Sequence, residues 1–65
     1  MTQFAVTHFE RADRPTKELA CFETDSLDEA RATFADLCAA GGPVGSGVFF
    51  FDFALFGGTV QKHIF

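Results

Sequence analysis

The chain has 65 residues, with nine acidic and five basic side chains, a formal net charge of −4, and ten Phe without any Trp or Tyr. A chain this short makes one small domain, residues 1–65, with a thin core, because it buries only about 60% of its unfolded surface. The charge balance supplies no basic stripe for a phosphate backbone or an anionic bilayer, so neither direct nucleic-acid binding nor membrane binding is expected.

Residues 3–9, QFAVTHF, predict a first strand, rich in Phe, Val and Thr. ERADRPTK, 10–17, is charged and carries Pro15, so it reads as an exposed connection. ELACFET, 18–24, predicts a second strand, with Leu19 and Cys21 on one face and Ala20 and Phe22 on the other.

Ser26-Leu27-Asp28-Glu29 has the form of a capping box: the Ser hydroxyl accepts from the Glu29 N–H, and the Glu29 carboxylate reaches back to Ser26. Leu27, Ala30, Phe34, Leu37 and Cys38 then recur at the spacing of one helical face. Gly41, Gly42 and Pro43 end the helix, and GGPVGSG, 41–47, is a loop.

GVFFFDF, 47–53, is apolar on both faces of a strand: Phe49, Phe51 and Phe53 on one, Val48 and Phe50 on the other. Gly57-Gly58 marks a turn, and TVQKHIF, 59–65, alternates as a fourth strand, with Val60, Lys62 and Ile64 on one side. The order β-β-α-β-β predicts an α+β fold: a two-layer sandwich of one four-stranded antiparallel sheet and one helix, in strand order 2-1-3-4 with the third strand central. The helix covers one sheet face. The Phe residues of the other face then need a cover of their own: the ALFGG turn, a second copy of the chain as a homodimer, or a different protein.

The chemistry-bearing residues read mostly as structure. His8 and His63 are two histidines without a carboxylate or Cys at ligand spacing, and are expected at the sheet rim rather than on a metal. Cys21 and Cys38 are expected as packed thiols, because no nucleophile signature surrounds them. The glycine-rich loop follows a helix instead of opening one, so it does not read as a phosphate loop. Asp52 is expected at the solvent end of its strand or paired with Lys62 across the hairpin. No catalytic residue, metal ligand or cofactor is therefore assigned. The unusual polar feature is the run Glu23, Asp25, Asp28, Glu29 and Asp36, five acids with Arg31 as the one base among them. Asp28 and Glu29 also suit a helix's first turn.

In its size, acidity and β-β-α-β-β architecture, with no enzymatic signature, the chain resembles the small phage-encoded anti-CRISPR proteins. That resemblance implies a non-enzymatic inhibitor that binds a CRISPR effector, in some members by presenting carboxylates where DNA phosphates would sit, in the host cytoplasm. The hairpin followed by DSLDEAR also looks like the strand-to-helix passage of HicB-type antitoxins, which usually have a further strand before the helix. Two surfaces are expected to meet a protein partner that has a basic groove: the acids Glu23, Asp25, Asp28, Glu29 and Asp36, and the aromatic residues Phe51 and Phe53. The alternatives are an antitoxin-like partner-binding protein and a small homo-oligomeric ligand-binding protein. The N-terminus MTQFAVTHFE has no export-signal pattern, so a cytoplasmic location is expected.

Overall fold

A computed structural model describes residues 2–65. The elements are β1 (Phe4–Phe9), β2 (Glu18–Thr24), α1 (Leu27–Ala40), β3 (Gly47–Asp52) and β4 (Thr59–Ile64). All four strands pair antiparallel in the order β2-β1-β3-β4, so the fold is the α+β arrangement of one open sheet and one helix.

Register assigns every strand residue to a face. Val6 pairs with Phe50 and with Phe22, and His8 pairs with Val48 and with Ala20. These residues face α1, which packs on β1, β2 and β3. The core beneath the helix is Phe4, Val6, Ala30, Val48 and Phe50, with Phe34, Leu37, Cys38 and Phe65 packed against it. Phe50 is its centre. The Phe4 ring stands edge-on to Phe50 at 6.2 Å, and the Phe34 ring lies 6.0 Å away on the helix side. Leu27, at the start of the apolar stripe, is exposed and adds little to this core.

The helix start differs in one detail from a reciprocal capping box. The Ser26 Oγ accepts from the Glu29 N–H at 3.2 Å, as the spacing predicts. The Glu29 carboxylate does not return to Ser26. It accepts from the Thr24 hydroxyl at 2.9 Å, and that hydroxyl oxygen accepts from the Ser26 N–H at 3.0 Å. Thr24, the last residue of β2, therefore joins the strand end to the helix end.

The 41–47 loop closes one end of the sandwich. Ser46 is fully buried and β1's His8 almost so. A Cβ on Gly42 would collide with the His8 imidazole and lie 2.9 Å from the Ser46 Oγ. A Cβ on Gly47 would meet Ala12 at 2.9 Å. These glycines let the loop approach β1 on one side and the β1–β2 connection on the other. His8 is thus not at the rim: β3 separates β1 from β4, and the ring is held under the loop with Phe65 at 5.4 Å.

Candidate interaction surfaces

Ala5 pairs with Phe51 and Glu23, and Thr7 with Phe49 and Cys21, so these residues form the face turned away from α1. Phe49, Phe51 and Phe53 stand on it in a row, the rings 6.0 Å and then 6.4 Å apart and the last two nearly parallel. Phe9 braces the row edge-on, 5.2 Å from Phe49. Lys62, opposite Phe49 in the register, brings its Nζ over that ring at 5.9 Å from the centroid. Coverage falls along the row: Phe49 is 9% exposed, Phe51 is half-buried, and Phe53 is 56% exposed.

The ALFGG turn does not cover this row. Leu55 is exposed, and Phe56 stands 109% exposed at the turn. Cys21, expected to pack within the sheet, is exposed on the same face, where its Sγ accepts a long hydrogen bond from the Thr7 hydroxyl at 3.5 Å. Asp52 does not pair with Lys62. Its Oδ1 accepts from the Ala54 N–H at 3.0 Å and from the Gln3 side-chain amide at 3.4 Å, so it fixes the turn after β3.

The acidic residues divide between two layers. Glu23 shares the open face with Phe51, whereas Asp28, Glu29 and Asp36 ride on α1 behind the other face. Asp25 links them, and its Oδ1 accepts from the Gln3 N–H at 2.9 Å. All five are exposed. At 3.6 residues per turn, Glu29 and Asp36 lie within about 20° of each other around the helix, and Asp28 sits roughly a quarter-turn away. A single row of five carboxylates, as the sequence suggested, is therefore not formed. The shared surface is the outer side of α1 with Asp25 at its entrance.

Charge segregation is still pronounced. Residues 23–36 carry five acids and Arg31, which equals the whole net charge of −4, and the other four acids and four bases cancel. Several of those others pair locally. Lys17 meets Glu10 at 3.0 Å, and Arg11 meets Asp13 at 2.8 Å, where the guanidinium holds the Asp13 carboxyl below its ordinary value.

Among the described residues, no group of three or more His, Cys, Asp or Glu is placed to hold a metal ion, and no helix is long and apolar enough to cross a membrane. His8 and Ser46 form the one buried imidazole–hydroxyl contact among the described residues, 3.0 Å apart, but the serine oxygen is out of reach of any substrate.

None of the family models, curated proteins or solved structures compared with the chain matches it.

The sequence pointed to Phe51 and Phe53 but missed Phe9, Lys62 and Phe56. Phe9 ends the first strand and Lys62 shares a side of the fourth with Val60 and Ile64, so both join the Phe49–Phe53 face only once the strand order fixes which faces coincide. The turn residue Phe56 was legible as a large apolar side chain beside Gly57-Gly58, a position with no sheet to cover it.

Proposed function

We propose that this chain is a non-enzymatic interaction protein that works in the cytoplasm by occupying the phosphate-binding groove of a nucleic-acid-binding protein, as the anti-CRISPR resemblance implies. The supporting observation is that residues 23–36 carry the entire net charge, and that four of their five acids, Asp25, Asp28, Glu29 and Asp36, are exposed at or along α1, with Glu23 on the other face. Asp28 and Asp36 project there without a side-chain partner among the described residues. A Lys/Arg groove built for phosphates would accept carboxylates on the outer side of α1, and long-range attraction would speed the encounter. Asp25 and Glu29, whose oxygens also hold the β1 and β2 ends, would be presented rigidly. Phe51 and Phe53 lie on the opposite face and are outside this surface.

The test is capture from nuclease-treated cell extract. Immobilised wild-type protein is expected to retain a nucleic-acid-binding protein that added duplex DNA displaces and that Asp28→Lys and Asp36→Lys variants fail to retain. Capture indifferent to both the duplex and the charge reversals would overturn the proposal.

A further inference from the structure

The face turned away from α1 is apolar along its centre and charged with opposite signs at its two edges. Phe51 on the inner strand β3 and Phe53 just past its end carry the apolar surface, and Ile64, paired opposite Gly47, is an exposed apolar residue toward the β4 side. The β2 edge carries Glu23, opposite Ala5, and Glu18, opposite Phe9. The β4 edge carries Lys62, which has no ion pair among the described residues. Arg11, already paired with Asp13, lines the same opening as Lys62 and Ile64.

We propose that this face is where two copies of the chain pack, sheet on sheet, about a two-fold axis parallel to the strands. The edge charges select that axis. With it, β4 of one copy lies over β2 of the other, and Lys62 meets the level of Cys21, one pleat from both Glu18 and Glu23. The usual angle of roughly 30° between aligned sheets brings the ammonium toward one of the two carboxylates. An axis across the strands would instead set β2 on β2 and β4 on β4, like charge on like. Two equivalent ion pairs would form, because an isologous interface repeats each contact. Four strands at about 4.8 Å spacing and about 20 Å length give a footprint near 400 Å² per copy. The buried total is then on the order of 1,000 Å² once side-chain relief is included, at the small end of specific interfaces. The dimer is accordingly weak and concentration-dependent. It covers the exposed Phe53 and turns both helices, with their acids, outward.

Sedimentation velocity from micromolar to millimolar protein is expected to show a reversible monomer–dimer equilibrium in the absence of any partner, so its outcome is separate from that of partner binding. Phe53→Asp, at an exposed position, is expected to keep the urea midpoint and weaken dimerisation by about tenfold or more, as for loss of an aromatic contact that the interface buries. Lys62→Glu is expected to weaken it as well, and adding Glu18→Lys with Glu23→Lys in the same chain is expected to restore it. A chain that stays monomeric at millimolar concentration overturns the proposal and leaves the face to a different protein. A dimer untouched by Phe53→Asp, or a charge swap that fails to restore association, overturns it too.

Discussion

The His8 Nε2 lies 3.0 Å from the Ser46 Oγ, and the Ser46 hydroxyl donates to the Pro43 carbonyl at 2.6 Å. Because the serine proton is committed to Pro43, the imidazole must be the donor, which assigns a proton to Nε2. A histidine and a serine at this distance resemble a base and its nucleophile. Burial and hydrogen-bond direction assign the pair a different task, which is to bind the glycine-rich loop to β1.

Ser46→Ala is therefore expected to lower stability by about 1–3 kcal/mol, the cost of leaving a buried donor without its acceptor. Gly42→Ala is expected to cost about 1–3 kcal/mol as well, because its methyl group has to displace the imidazole. Urea midpoints check both, and long-range ¹H–¹⁵N spectra check that Nε2 is protonated. Two unchanged midpoints would mean that the loop is not tied to the strand.

At the other end of the sandwich, Ser26→Ala is expected to cost about 1 kcal/mol for the lost N-cap. Thr24→Val keeps the side-chain shape but removes the hydroxyl that joins Ser26 to Glu29. A double-mutant cycle in urea is expected to give a coupling energy of about 0.5 kcal/mol or more between the two positions. Strict additivity would show that the cap works without the strand end.

Phe50→Ala and Phe34→Ala are each expected to cost about 3–5 kcal/mol, from lost burial and the cavity left behind. In a domain whose total stability is expected near the bottom of the usual range, either loss unfolds much of the population. Far-UV circular dichroism at room temperature reads this directly. A native spectrum with an unchanged melt would remove Phe50 from the centre of the core.

The two thiols should separate by reactivity. Cys21 is exposed, whereas Cys38 packs against the core and burial raises its pKa. Less thiolate is then present at mildly alkaline pH, so Cys38 is expected to react more slowly with an aromatic disulfide reagent. The check is a two-phase titration in dilute native protein, with mass spectrometry locating the fast site at Cys21. Equal rates would contradict the packing of α1 on the sheet.

Much of this fold was legible because local signals agreed with one another. Ser26 and Glu29 mark the helix start, Gly41 through Pro43 its end, and the two apolar faces of GVFFFDF suit an inner strand, which β3 is. What escaped the sequence depended on register. Glu23 is continuous with Asp28 and Asp36 along the chain, yet strand pleating sends its side chain to the opposite layer. Of the two places expected for Asp52, it takes the strand end, where the Ala54 N–H donates to it, and Lys62 turns over Phe49 instead of pairing with it. The bulge between Phe50 and Phe51 on the β3–β4 ladder likewise carries no composition signal.

Engagement of a basic groove by the acids on α1 is read from the salt dependence of partner affinity. Wild-type protein is expected to lose affinity steeply as salt rises. Asp28→Lys, Asp36→Lys and Asp25→Lys, each confirmed as folded, are expected to bind more weakly and with a flatter slope. If all three bind with wild-type affinity and slope while Phe51→Ala or Phe53→Ala does not, the acidic surface is not the binding site and the aromatic sheet face is.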